Sequence, residues 1–201
     1  MAEVISFICH PIFMPVVMSM VLRELEPSVF APFIAVMKTW LAVIIISTLF
    51  FPLFTIFLMK QLGFISSYKM PTTKDRIGPL LAIMIFYFWV SHVFNSVPGA
   101  VPLVLRVLFL GNLWGLIAVF IVNIFTKISM HTSVAGGIIG IVIVLMRISP
   151  GNMMLPLLAA IVLAGIIGTA RMVLGAHQRG DIWLGYIIGI VVMLGAYVYL
   201  K

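Results

Sequence analysis

Seven stretches of this chain are apolar over lengths that suit a membrane, and little separates them. They run over 4–22, 33–59, 80–97, 103–126, 132–147, 153–174 and 182–200. A hydrocarbon layer about 30 Å thick needs about 20 apolar residues in a helix, and each stretch is compatible with that. The fifth is the shortest and is extended by Ile128 and Ser129. Long unbroken runs, not short alternating ones, favour helices over a barrel. The composition agrees: 64% of the 201 residues are hydrophobic and 8% are charged, against about 45–50% and about 25% in soluble domains. The expected fold is all-α, a polytopic membrane helix bundle of six to seven transmembrane helices. It forms one integral membrane domain over 1–201.

Local signals refine this. Pro11 and Pro15 predict a first segment that is kinked, tilted or re-entrant. Turns are expected at Pro98-Gly99 with Pro102, at Ser149-Pro150-Gly151-Asn152 and at Gly175, and 23–32 reads as a polar connection. Gly136/Gly140 and Gly185/Gly189 have the spacing that lets two helices approach closely, read here as packing within the bundle. The single Cys9 excludes an internal disulfide. The N-terminus lacks a basic flank and a small-residue cleavage site, so it is expected to be retained. The net charge of +7 has no soluble basic face to sit on, which argues against nucleic acid as a partner. The partner implied instead is the bilayer. The oligomeric state is left open.

Polar residues collect in three places. The loop 66–79 offers Lys69, Lys74, Asp75 and Arg76. The second cluster is Lys127-Ile128-Ser129-Met130-His131-Thr132-Ser133. The third runs from Arg171 through His177 and Arg179 to Asp181. If each segment crosses once, the third leaves the side holding 60–79, the fourth returns, and the fifth and sixth repeat the circuit. All three clusters then lie on one face of the membrane, the near side.

His177 and Asp181 are four apart, which on a helix puts them one turn apart on one face. Gly175 is expected to end the sixth helix, leaving 177–181 as the first turn of the seventh. Bland readings exist for each group. Asp181 suits a helix N-terminus, Arg171 and Arg179 can snorkel, and a lone His can be an interface residue. Together the clusters supply the parts of phosphoryl transfer. Cationic donors hold phosphate oxygens, a histidine nucleophile is oriented by a carboxylate, and a second histidine protonates the leaving oxygen.

In these residues the chain resembles the type 2 phosphatidic acid phosphatase superfamily, which includes lipid phosphate phosphatases and undecaprenyl pyrophosphate phosphatases. Lys69 and Arg76 keep the six-residue gap of its first motif, Ile128-Ser129-Met130-His131 stands in place of Pro-Ser-Gly-His, and Ala170-Arg171, His177 and Asp181 keep the spacing of its third. The resemblance spans about residues 66–190, with a phosphatase-like core over about 60–200 and two membrane segments within 1–59. It implies a hydrolase acting on a lipid phosphate or pyrophosphate (phosphatidate, phosphatidylglycerol phosphate or polyprenyl pyrophosphate type) without metal or other cofactor. His177 would form a phosphohistidine, Asp181 would orient it and His131 would protonate the leaving group. Lys69, Arg76, Ser129 and Arg171 would hold the phosphate.

The chain departs from the pattern. Arg76 is followed by Ile77-Gly78-Pro79, which leaves Lys74 as an alternative donor to Lys69; Met130 replaces a glycine and narrows the pocket; Ala170 removes a hydroxyl. Two alternatives therefore stand beside hydrolysis: a lipid-phosphate binding or transport protein, and a lipid phosphotransferase on the same fold. His10, His92, Asn112 and Asn123 are read as interhelical hydrogen-bonding groups, and Arg106 as a snorkelling or internally paired side chain.

Orientation is drawn two ways. Near-side Lys60, Lys69, Lys74, Arg76, Lys127, Arg171 and Arg179 outnumber far-side Arg23, Lys38, Arg147 and Lys201, which favours a cytoplasmic near side. Without the site residues Lys69, Arg76 and Arg171 the sides are equal, and the resemblance implies an extracytoplasmic site in a bacterial inner (cytoplasmic) membrane.

Overall fold

A computed structural model describes residues 1–68, 73–97 and 99–201, without the side chains of 73 and 74. Among the described residues all regular secondary structure is helical. Among the described residues, six helices are long and apolar enough to cross a membrane: Met37–Gln61, Asp75–Ser96, Leu103–Phe125, Met130–Ile148, Met154–Val173 and Arg179–Leu200. The protein is a polytopic helical membrane protein.

The first apolar run does not form a span of its own. It breaks into α1 (Ala2–Ile8) and α2 (Met14–Leu25) around a turn at Cys9–Phe13. Pro11 lies in that turn and Pro15 in the first turn of α2, where a missing N–H costs nothing. The expected polar connection is also more than a linker. It forms α3 (Pro27–Phe30), with Phe30 and Glu26 tucked against the bundle.

The next span runs through α4 (Met37–Ile45), a π-helical turn at Ile46–Phe50, and α5 (Phe51–Gln61). The widened turn sits just ahead of Pro52, whose ring cannot be accommodated in a regular ladder. Thr48 there is fully buried and donates its hydroxyl to the Ile44 carbonyl at 2.8 Å.

Helices α6 (Thr73–Ser96), α7 (Leu103–Phe125), α8 (Met130–Ile148), α9 (Met154–Val173) and α10 (Arg179–Leu200) complete the bundle. α7 is one unbroken helix, long and apolar enough for a single crossing.

The most extensive pairing is α8 with α10. A Cβ at Gly136 would collide with the Tyr186 backbone, and one at Gly189 with the Ser133 carbonyl. Helix association in lipid relies on such close packing because there is no hydrophobic gain between helices. The solid core lies toward the far side. Val104, Val107, Leu108 and Phe109 of α7 meet Ile141, Val144 and Leu145 of α8, and Phe94 packs edge-on to Phe109 at 5.2 Å. Toward the near side the bundle is hollow.

Candidate functional site

The hollow is a cavity of about 490 Å³ with a polar end and an apolar interior. Arg76, His131, Arg171 and His177 all line it. The side chains of three separate sequence clusters therefore meet at one end of one cavity.

The placement of each follows from local structure. α9 ends in a Schellman motif: Gly175 adopts φ +61°, its N–H reaches the Met172 carbonyl at 2.9 Å, and Ala176 N–H reaches the Arg171 carbonyl at 3.2 Å. This reverses the chain immediately after Arg171 and brings His177 back to the cavity. α10 then opens with a capping box between Gln178 and Asp181, in which the Gln178 N–H donates to Asp181 Oδ2 at 3.0 Å. His177 thus precedes the helix instead of forming its first turn. The cap still sets the pair: His177 Nδ1 stands 3.6 Å from Asp181 Oδ2. That is ion-pair range and longer than a hydrogen bond. One carboxylate thus caps the helix and also stands beside His177.

Burial pushes the His177 imidazole below its ordinary pKa. The positive charges of Arg171 and Lys127 act the same way, and Asp181 only partly offsets them. His177 is therefore neutral near pH 7, the state in which a ring nitrogen is nucleophilic.

His131 and Arg171 share a partner that sequence reasoning missed. The Ser6 carbonyl lies 3.1 Å from His131 Nε2, and Arg171 donates from Nη1 to the Ser6 hydroxyl at 3.3 Å. α1 thereby lies across the polar end. His10, read as interhelical glue, also lines the cavity, with its ring 5.4 Å from that of His131. Its Nδ1 accepts from the Ile12 N–H at 3.3 Å, which fixes the turn between α1 and α2. The proline-flanked His10 was the available signal. Nothing local in the sequence pointed to Ser6.

The remaining expectations divide. Ser129 is fully buried as the N-cap of α8 and accepts from the Thr132 N–H, and it is not among the cavity-lining residues. Its hydroxyl is engaged in a capping role worth about 1 kcal/mol. Met130 lines the cavity, as a narrowing residue should. Lys69 and the side chain of Lys74 lie outside the described residues. The adjoining loop is anchored by Asp75, which accepts from the Ser66 N–H and hydroxyl at 3.2 and 2.9 Å, while Lys60 donates to the Ser66 carbonyl at 2.6 Å.

Among the described residues, Arg171 Nε and His177 Nδ1 are buried without a hydrogen-bond partner. Buried polar atoms are nearly always paired; His177 Nδ1 faces Asp181 Oδ2, and a ligand's acceptor atom would satisfy Arg171 Nε.

Comparison with known proteins adds no relative: no protein-family model, no curated protein and no solved structure matches the chain.

Proposed function

We propose that the polar end of the cavity is the active site of a membrane phosphatase for a lipid phosphate or pyrophosphate, related to the type 2 phosphatidic acid phosphatases. The observation that carries this reading is the convergence of Arg76, His131, Arg171 and His177 on one end of a mostly apolar cavity. Two guanidinium groups suit an anion, and the neutral His177 beside Asp181 suits nucleophilic attack.

The Nε2 of His177 attacks phosphorus, with Nδ1–H turned toward Asp181. The bond from phosphorus to the leaving oxygen breaks, and that oxygen takes a proton from His131. Asp181 stabilises the positive charge left on the ring. Water then attacks the phosphohistidine, His131 accepts its proton, and inorganic phosphate leaves. The Ser6 carbonyl and hydroxyl stand at the His131 and Arg171 atoms that the substrate would use. Substrate entry therefore displaces Ser6. In this reading the near side is extracytoplasmic.

The test is phosphate release by the protein in bilayers from a panel of lipid phosphates. His177→Ala is expected to lower it by about 10³-fold or more, and wild type should yield an acid-labile, base-stable phospho-enzyme. Release by His177→Ala at the wild-type rate would refute the assignment. A non-hydrolytic lipid-phosphate binder is favoured by one observation, the 3.6 Å gap between His177 and Asp181. It would bind the same lipids without forming a phospho-enzyme.

A further inference from the structure

The apolar interior of the cavity is far larger than a phosphate requires. Its walls include Ile138 and Ile141 of α8, Leu108 and Gly115 of α7, and Val192 and Met193 of α10. From the start of α10 at Arg179 to Met193 is 14 residues, about 21 Å of helix rise. One leaflet contributes only about 15 Å of hydrocarbon. The cavity lining thus reaches farther along α10 than one leaflet is deep. Polar side chains in this part are few, Thr48, Tyr87, Asn112 and Ser133, and Thr48 already donates to the Ile44 carbonyl, so most of the wall offers a water none of the two to four polar partners it needs. The volume of about 490 Å³ holds roughly 16 groups the size of a water or methylene, at ~30 Å³ each. That is room for one long hydrocarbon chain.

The deep end is closed by a flexible side chain. A Cβ at Gly111, Gly137 or Gly140 would meet Met193, so Met193 lies across the glycine faces of both α7 and α8. Gly115 borders the cavity with space to spare: its Cβ would meet Val192 only at ordinary contact distance, 3.5 Å.

We infer that the cavity is a chain-length-selective chamber. It takes, lengthwise, one long hydrocarbon chain carrying a phosphate, with Met193 as its floor. The inference rests on the phosphate-binding reading of the polar end. It makes the protein selective for phosphates on a single chain longer than one leaflet is deep.

The experiment uses hexadecyl phosphate with a diazirine on its terminal carbon, and the hexyl analogue, on the full chain in phosphatidylcholine bilayers. Labelled residues are mapped by mass spectrometry and phosphate release is scored separately. The long probe should label Leu108, Ile141 or Met193. Gly115→Leu should move its label toward the polar end and lower the long-to-short ratio of kcat/KM by about tenfold, one bulky group in a pocket being worth that much. Met193→Ala should change that ratio in the opposite sense. If Gly115→Leu does not fold, Val192→Phe narrows the same region. Labelling confined to the outward-facing Ile187, Val191 and Val198 would overturn the chamber, as would a narrowing variant that leaves the label in place. Interior labelling without phosphate release would leave the chamber standing and remove hydrolysis; release with outward labelling would do the reverse.

Discussion

The two ends of α8 hold ionisable groups in close quarters and treat them differently. At the far end the Glu26 side chain accepts from the hydroxyls of Ser28 and Ser149, and Ser149 in turn accepts from the Gly151 N–H. Those hydroxyls hold its carboxyl below the ordinary carboxylate range. At the near end Arg171 Nε and His177 Nδ1 have no partner among the described residues, and the 3.6 Å approach of Asp181 stops short of a hydrogen bond. A charge surrounded by matching donors ties α2 to the α8–α9 turn. Groups left short of partners are prepared for atoms from elsewhere. The distinction lies in the completeness of the bonding.

Mutation should separate the ends cleanly. Arg171→Ala is expected to lower kcat/KM for phosphate release by about 10²–10³-fold, the size of a lost oxyanion donor, while the thermal midpoint moves little. Asp181→Asn should cost about tenfold, or ~1.4 kcal/mol of barrier. The Asn carbonyl can still accept from the Gln178 N–H, so only the charge opposite His177 is lost. Glu26→Gln should leave phosphate release unchanged and lower the midpoint of thermal unfolding. If Glu26→Gln abolished turnover with the fold intact, the division between a structural and a functional end would fail.

Much of this was legible in the sequence. Hydropathy marked the six spans and one further run, 4–22, that is not a span, and parity alone put Arg76, His131, Arg171 and His177 on one face. Their local sequence also set fine geometry, through Gly175 and the Gln178–Asp181 cap. Ser129 carried a legible cap signal, standing just ahead of an apolar run, and the cap is what its hydroxyl forms. Ser6 was not legible. It meets His131 across 125 residues of chain and Arg171 across 165, and only the break at Cys9–Phe13 lets α1 return to them. The cavity was equally hidden. No local pattern marked Gly115, whose missing side chain leaves room between α7 and α10.

The smallest effect concerns pH, and it tests the contrast most finely. Turnover needs neutral His177, so activity should rise with pH through a pKa that lies below the ordinary 6.5. Lys127 is exposed and helps to depress that value by its charge alone. Lys127→Met should let the pKa rise, moving the acid limb of kcat to slightly higher pH while the plateau is kept. The displacement should shrink in high salt, because exposed charges are screened over about 8–10 Å. The far end responds to acid in a different window. A depressed carboxyl contributes stability above its unfolded value, here 4.5, and that stability is lost as pH falls through its lower folded value. Acidification should therefore silence the near end first, reversibly and with the fold intact, and loosen the far end only later. Glu26→Gln should remove the second transition without moving the first. A common midpoint for activity and unfolding would mean that the two ends titrate as one structure.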